Sequence, residues 1–212
     1  MIKGRFIVFE GGEGTGKSTQ IKILKAKLES LGKTVVLTWE PGGTNLGQKI
    51  RELLIDPQYS PLDPNAEALL FAASRAQHIS EKILPALQNG YTVLCDRFIH
   101  ASLAYQAHAR NLGSKFILDI NKAIESVKID RVFLFDLDPV VGLSRVQDRA
   151  SESDEIIIDR IEQEKLSFHQ NVRRSYLQIA KDNPKLFSII KADGELAEIS
   201  QLIFTDLSKF YE

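Results

Sequence analysis

The stretch FEGGEGTGKST, residues 9–19, decides the fold of this chain. Its glycines, Lys17 and Ser18 follow the spacing G-x-x-x-x-G-K-[ST], between an apolar run and an amphipathic one. Glycines let successive backbone N–H groups turn toward one anion, and the start of the following helix adds partial positive charge. Lys17 suits the β- and γ-phosphates of a nucleoside triphosphate, and Ser18 can ligate Mg²⁺. The predicted triphosphate contacts are Gly11, Gly12, Glu13, Gly14, Thr15, Gly16, Lys17, Ser18 and Thr19.

Outward from this loop, short apolar runs alternate with helical patterns. Strands that alternate with helices indicate a parallel sheet covered on both faces. We therefore predict an α/β fold of the P-loop NTPase type, in three layers, with a five-stranded, mostly parallel sheet and a mobile lid. The predicted strands are Phe6–Phe9, Thr34–Thr38, Thr92–Cys95, Val132–Phe135 and Phe187–Ile190. The predicted helices, besides the one that follows the loop, are Leu46–Leu54, Asn65–Gln88, Lys115–Ser126, Val140–Arg149, Ile161–Ala180 and Leu196–Phe210.

The composition is typical of a globular enzyme without a large charged surface. Of 212 residues, 43% are hydrophobic, and 27 Lys plus Arg oppose 28 Asp plus Glu, so the net charge is −1. This balance argues against a nucleic-acid or membrane-surface partner. No apolar run approaches the ~20 residues that span a bilayer, and the start shows no signal-peptide pattern. We expect a cytoplasmic protein of one domain, residues 1–212, with the single cysteine, Cys95, as a buried thiol.

The end of the third predicted strand bears on what receives the phosphate. The sequence VLCDRF, residues 93–98, places Asp96 and Arg97 where a parallel strand opens into the ligand crevice. A GTPase would carry N-K-x-D, and the only NK here, in NKAI at 121–124, lacks the aspartate. A motor needs acidic groups that activate water, whereas Arg97 suits a second anion. We therefore favour a kinase with two phosphate-bearing substrates.

Two further patterns place side chains near the same crevice. Glu40 follows the second predicted strand, and the PGG that comes after it combines a stiff turn with close backbone approach. Phe71 and Arg75 are spaced i, i+4, so one helix face offers a ring for stacking on a base and a guanidinium beside it. Both patterns also have plain structural interpretations, namely a strand-to-helix turn and a core phenylalanine beside a solvated arginine.

A polar insert, DRASESDEIIIDR at 148–160, interrupts two helical patterns and predicts a lid over residues 146–160. Arg145 and Arg149 share one helix face before it, and Arg160 follows it. Phosphoryl transfer builds negative charge that guanidiniums on a closing lid would stabilise while water is excluded. The alternative is a solvated helix face, and we interpret the SESDE run as lid surface without a catalytic role.

With these motifs in place, the chain resembles a bacterial thymidylate kinase, a P-loop nucleoside-monophosphate kinase. The matching segments run in order from residue 6 to about 172: FEGGEGTGKST, EPGGT, FAASRAQH, DRF with SLAYQ, LDPVVGLSR and DRIEQEKLSFHQNV. The resemblance implies Mg²⁺-dependent transfer of the γ-phosphate of ATP to dTMP, giving dTDP for dTTP synthesis. It also implies a homodimer.

The resemblance further implies a role for each matching residue. Ser18 and Asp96 would hold the metal, Glu13 would lie near the acceptor sugar, and Phe71 would stack on thymine while Arg75 bonds its C4 carbonyl. The residues implied to be catalytic are Lys17, Arg97, Arg149, Glu13, Asp96 and Arg160, with Arg145 at ATP. Those implied to bind dTMP are Glu40, Phe71, Arg75, Arg97, Ser102, Tyr105, Gln106 and Glu162.

Some features depart from the family pattern and leave alternatives open. Trp39 stands where a basic or small residue is expected, and the lid looks long and acidic, so Arg145 or Arg160 could replace Arg149. A deoxynucleoside kinase would use Glu40 as general base, although Phe98 stands where that group usually carries serine. A non-catalytic ATP-binding switch is the remaining alternative.

Overall fold

The computed structural model of the chain describes residues 4–152 and 158–211. Its strands form one sheet in the order β2-β3-β1-β4-β5, and every neighbouring pair runs parallel. The predicted α/β fold with five strands is confirmed, and parallel pairing extends across the whole sheet. The strands are β1 (Arg5–Gly11), β2 (Val35–Trp39), β3 (Thr92–Asp96), β4 (Arg131–Asp136) and β5 (Phe187–Lys191).

Helices connect these strands and cover both faces of the sheet. They are α1 (Lys17–Ser30), α2 (Asn45–Ile55), α3 (Pro64–His78), α4 (Leu84–Gln88), α5 (Ile99–Ser102), α6 (Ser114–Ile120), α7 (Pro139–Ser151), α8 (Leu166–Asp182) and α9 (Leu196–Ser208). A π-helical segment, Ile79–Ile83, joins α3 to α4, and another, Leu103–Ala109, continues α5. Short 3₁₀ turns lie at Pro57–Tyr59 and Lys122–Ser126.

Three predicted helices differ from the structure. The helix expected over Asn65–Gln88 is divided by the π-helical segment Ile79–Ile83, and two others have different boundaries. The helix expected from Ile161 begins at Leu166, because Asp159 Oδ1 accepts the backbone N–H groups of Ile161 and Glu162, both at 2.8 Å, and holds a turn there. The helix expected over Lys115–Ser126 ends at Ile120, and a 3₁₀ turn takes its second half.

The core consists of two apolar layers, one on each face of the sheet. Alternation along β1 shows this directly, since successive side chains of a strand point to opposite faces. Phe6 and Val8 pack in the layer that α8 covers, and Ile7 and Phe9 pack against α1 and α9. All four are fully buried. Each such side chain contributes about 1.5–3 kcal/mol of burial free energy, so the central strand is held rigidly beneath the loop that follows it.

The functional crevice lies where β1, β2 and β3 end, because parallel strands bring their carboxyl ends to one edge. The chain leaves β1 through the glycine-rich loop, which packs closely on α7. A Cβ at Gly14, whose φ is +65°, would overlap the carbonyl oxygen of Gly142 on that helix. Glycine at 14 therefore lets the loop and α7 meet. Within the described residues, every helix is too short or too polar to cross a membrane.

Candidate active site

The glycine-rich loop presents a cation and the N-terminus of α1 to the crevice. Lys17 is buried, and its Nζ donates to the carbonyl oxygens of Gly11 at 3.1 Å and Gly12 at 2.8 Å. Gly16, at φ 81°, precedes α1, and no side chain caps that helix. Burial, reinforced by the charge of Arg97, lowers the pKa of Lys17 to about 8. The loop can therefore surround phosphate oxygens with backbone donors, a helix N-terminus and the Lys17 ammonium.

Ser18 and Asp96, the two predicted metal ligands, come together at the mouth of the loop. The Ser18 hydroxyl donates to Asp96 Oδ2 at 2.9 Å, across 78 residues of sequence. Across residues 4–152 and 158–211, no three His, Cys, Asp or Glu side chains form a ready-made metal cluster. Mg²⁺ commonly uses one or two protein oxygens, with phosphate and water for the remainder. The Ser18–Asp96 pair fits that requirement.

Arg97 links the phosphate loop to the neighbouring cavity. Its backbone is left-handed, at φ 67°, and its guanidinium donates to Glu13 Oε1 and to the Gly11 carbonyl, both at 2.8 Å. The same group lies over the Tyr105 ring, 5.2 Å from its centroid, and the Tyr105 hydroxyl donates to Glu13. Burial alone would raise the pKa of Glu13, but the charges of Arg97 and Lys17 outweigh it and lower that pKa to about 2.

A cavity of about 130 Å³ opens beside Arg97 and extends toward α3. Phe71, Tyr105 and Ala101 give it apolar walls, and carboxylates, guanidiniums and an amide also line it. Glu162 lines both this cavity and the wider opening above the phosphate loop. The predicted acceptor residues that line the cavity are Glu40, Phe71, Arg97, Ser102, Tyr105, Gln106 and Glu162.

Arg75 is the predicted acceptor residue that lies behind the cavity wall instead of lining it. It is only 1% exposed, and its Nε donates to Glu40 at 2.7 Å. Its terminal nitrogens donate to Asn121 at 2.6 Å and to Ser102 Oγ at 3.0 Å. His78 holds the other oxygen of Glu40 at 3.0 Å. The Arg75 charge thus reaches the cavity at the corner where Ser102 and Glu40 line it.

The three candidate lid arginines occupy different places. Arg149 is exposed and lines the opening above the phosphate loop, and its Nε contacts only the Arg145 carbonyl at 3.4 Å among the described residues. Arg145 is exposed as well and donates to the Gly14 carbonyl at 3.3 Å. Of the predicted lid, residues 153–157 lie outside the described part of the chain.

Arg160 lies away from both openings. Its guanidinium is buried and donates to Glu67 at 2.6 Å and to the Leu54 carbonyl at 3.0 Å. The implied role of Arg160 at the substrates therefore stays a prediction, and in this structure Arg160 does not line either opening. The physical reason is that a buried carboxylate on α3 already pairs with its charge.

Two residues of the crevice region were not predicted from the sequence patterns. Glu10 is fully buried; Oε1 accepts from the Phe98 N–H at 2.9 Å, and Oε2 from the Tyr176 hydroxyl at 2.8 Å. Burial raises its pKa to about 7, against the lowering effects of Tyr176 and Arg97. Arg51 on α2 lines both openings. A carboxyl inside a buried strand is a signal that could have revealed Glu10, whereas Arg51 resembles any polar residue of an amphipathic helix.

Comparison with known proteins agrees with this geometry. The family model described as Thymidylate kinase matches residues 9–203. The chain is similar to Thymidylate kinase of Pelotomaculum thermopropionicum, with 46% identity over 212 residues, which cover 100% of this chain and 94% of the relative. Its identity to Thymidylate kinase of Pelobacter propionicus is 45% over 201 residues, or 94% and 92% of the two chains. A crystal structure of thymidylate kinase from Ehrlichia chaffeensis superposes with a TM-score of 0.76 at 30% identity, covering 96% of this chain and 98% of the other.

Proposed function

The chain belongs to the thymidylate kinase family, and we propose that it transfers the γ-phosphate of ATP to dTMP through the residues that meet in its crevice. The products are dTDP and ADP. The observation that carries this assignment is the position of Arg97, which lies between the phosphate loop and a cavity with an aromatic wall. A phosphate on the acceptor would reach the donor phosphates at that point.

The donor side consists of the glycine-rich loop, Lys17 and the N-terminus of α1. Ser18 and Asp96 would hold Mg²⁺. When bound, the metal supplies charge neutralisation between the donor phosphates. Arg145, which contacts the carbonyl of Gly14, would lie along the nucleoside part of ATP. Residues 11–19 thus fix the triphosphate by backbone donors.

The acceptor side consists of the cavity beside Arg97. Arg97 and Arg51 would bind the phosphate of dTMP, and Glu13 with Tyr105 would contact its sugar. Phe71 would stack on the base, and Ser102 would donate to its C4 carbonyl, with the Arg75 guanidinium bonded behind Ser102 Oγ. The second pKa of a phosphate monoester is ~6, so the attacking oxygen is already charged at neutral pH and needs no general base.

The lid side supplies charge to the transferring group. Arg149 is exposed and lines the same opening as Lys17, and it would neutralise the phosphoryl group in the transition state. Glu162 would close over the substrates from the other side of the lid. Residues 146–160 act as a lid within a single domain of residues 1–212. Hydrogen exchange over 148–160 should slow when both substrates bind, and unchanged exchange would contradict lid closure.

Two further properties follow from the family. The chain is expected to form a homodimer, which light scattering during size-exclusion chromatography would detect as twice the mass of 23.8 kDa. We also place the enzyme in the cytoplasm, where ATP, Mg²⁺ and dTMP are available. Fractionation of cells that express the tagged chain would test this.

The assignment is tested by ADP release with ATP and Mg²⁺, comparing dTMP, dUMP, dCMP and thymidine as acceptors. We expect rapid turnover of dTMP, and weaker turnover or none of dUMP. Turnover with thymidine in its place would indicate a deoxynucleoside kinase with Glu40 as base. Against that alternative, both Glu40 oxygens are already bonded, to Arg75 and to His78. Nucleotide binding without any turnover would indicate a switch.

A further inference from the structure

Glu67 is a buried carboxylate on α3 that lies next to the cavity without lining it. It is 1% exposed and accepts hydrogen bonds from three side chains. Its Oε1 accepts from Gln106 Nε2 at 2.8 Å, and its Oε2 accepts from Arg160 at 2.6 Å and from Arg110 at 3.3 Å. Two guanidiniums therefore balance its charge, and the amide of Gln106 is hydrogen-bonded to it.

The bond from Gln106 to Glu67 decides which way the Gln106 amide faces. An ionised carboxylate only accepts hydrogen bonds, so the Nε2 end of the amide must point toward it. The two ends of a glutamine amide look alike, and their orientation follows from such partners. Gln106 lines the cavity, and within residues 4–152 and 158–211 no group donates to its Oε1. The carbonyl oxygen is therefore the end left for a ligand.

We propose that Glu67 is a positioning residue that determines which base the enzyme accepts, by holding the Oε1 of Gln106 toward the ring of the bound base. The proposal rests on the proposed function, because it assigns the cavity to dTMP. Thymine carries a donor, N3–H, on the edge that an amide oxygen can bind. Cytosine carries an acceptor at N3, which would oppose the same oxygen. Glu67 therefore favours dTMP over dCMP without touching either nucleotide.

This selection adds to the selection by Ser102, which lines the same cavity, and by Arg75, which lies behind Ser102. Arg75 donates to Ser102 Oγ, which leaves the Ser102 hydroxyl hydrogen to donate to the C4 carbonyl of thymine in preference to the amino group of cytosine. Gln106 contributes an acceptor at the adjacent N3 position. The two sets together present a donor and an acceptor in the order that complements thymine or uracil.

The test is the ratio of kcat/KM for dTMP to kcat/KM for dCMP in Glu67→Gln. A glutamine at 67 can donate to Gln106 Oε1, so the Gln106 amide can reverse and present its NH₂ to the base. We expect the ratio to fall roughly tenfold or more, mainly through a higher KM for dTMP and a lower KM for dCMP. Glu67→Asp keeps an acceptor-only group and should retain most of the wild-type ratio.

Two controls separate orientation from stability. Arg110→Met disturbs the same buried cluster without removing the acceptor of Gln106, so it should lower Tm and leave the ratio unchanged. In a Gln106→Leu background there is no amide to orient, so adding Glu67→Gln should not change the ratio further. If Glu67→Gln alone fails to fold, the E67Q/R110M double variant removes an anion together with a cation and permits the same comparison.

An unchanged ratio in a folded E67Q enzyme that turns over dTMP would overturn the role of Glu67 and leave the proposed function intact. Equal loss with dTMP and dCMP would also overturn it, because a general structural defect predicts that result. Failure of the wild-type enzyme to phosphorylate dTMP would overturn the proposed function, and this inference with it.

Discussion

The two sides of the crevice differ in how firmly their charged groups are held. On the acceptor side, Arg75 and Glu40 are buried and bonded to each other, and Arg97 is paired with Glu13. On the lid side, Arg145 and Arg149 are exposed, and among the described residues their partners are backbone carbonyls. The buried, mutually bonded groups of the acceptor side are already in position to select a ligand before the reaction starts. The exposed guanidiniums of the lid side can move toward the negative charge of the transferring phosphate.

This difference gives each side its own expected mutational signature. Removing a charge from the acceptor side leaves a partner uncompensated, which lowers stability as well as substrate affinity. Removing a charge from the lid side costs little stability, because exposed arginines contribute little to folding. The loss of such an arginine should instead lower kcat.

The largest effect is expected for Arg97→Ala. The variant loses the guanidinium at the junction of donor and acceptor, so kcat/KM for dTMP should fall by about 10³-fold or more. It also removes the guanidinium partner of the partly buried Glu13 carboxylate, which should cost about 1–3 kcal/mol of unfolding free energy. Steady-state kinetics and urea denaturation measure the two effects. Arg97→Lys keeps the charge but not the bidentate geometry of the guanidinium. Relative to Arg97→Ala, it should therefore recover stability better than activity.

A smaller effect, confined to catalysis, is expected for Arg149→Ala. The kcat should fall roughly 10²- to 10³-fold, in line with the loss of one donor to developing charge. Its Tm should stay within about 1 °C of wild type, because surface substitutions usually change stability little. Arg174, an exposed arginine on α8, provides a matched control, and Arg174→Ala should change neither value. A fall in Tm for Arg149→Ala would show that the lid side is also built into the fold.

The next prediction concerns the pH dependence of stability that the buried Glu10 imposes. Its folded-state pKa is about 7, raised by burial from 4.5. Its stabilising contribution is therefore complete below about pH 4.5 and is lost as pH rises through 7, by about 3 kcal/mol in total. The free energy of unfolding is measured by urea denaturation from pH 4.5 to 7.5 for wild type and for Glu10→Gln. The difference between the two proteins isolates the contribution of Glu10 from that of other titrating groups. Parallel curves for the two proteins would contradict it.

The smallest effect is expected for the C5 methyl group of the base. An apolar wall around one methyl group gains ~1–3 kcal/mol, so dUMP should be used less well than dTMP but not rejected. The dCMP molecule, which meets the wrong donors and acceptors, should be rejected more strongly. Competition assays with the three nucleotides measure both ratios. Sharper rejection of dUMP than of dCMP would mean that shape, not hydrogen bonding, controls the acceptor side.

The sequence predicts the strands and the phosphate loop because local patterns determine them. The apolar runs lie inside the observed strands or within a residue of them, and the glycine spacing needs no distant partner. The helix at Ile99–Ser102 was missed because its continuation, Leu103–Ala109, is π-helical and breaks the 3.6-residue periodicity. Pattern reading depends on that period.

The placement of individual charges is the part that local patterns do not determine. Arg160 and Glu67 are 93 residues apart, and only the folded chain shows that they pair. The same holds for the Ser102–Arg75 bond, which puts Arg75 behind the cavity wall. A buried charge is located by its partner, and partners far apart along the chain leave no spacing signal in the sequence.

The most direct test of this two-sided account is calorimetric binding of dTMP in the absence of ATP. The account predicts that wild type and Arg149→Ala bind dTMP with the same Kd, because the acceptor side is complete without the lid arginine. Arg97→Ala should bind at least tenfold more weakly. Two results would contradict the account: binding of dTMP only in the presence of ATP, or a loss of affinity in Arg149→Ala as large as that in Arg97→Ala. Either result would mean that the acceptor side does not bind dTMP independently of the exposed arginines on the lid side.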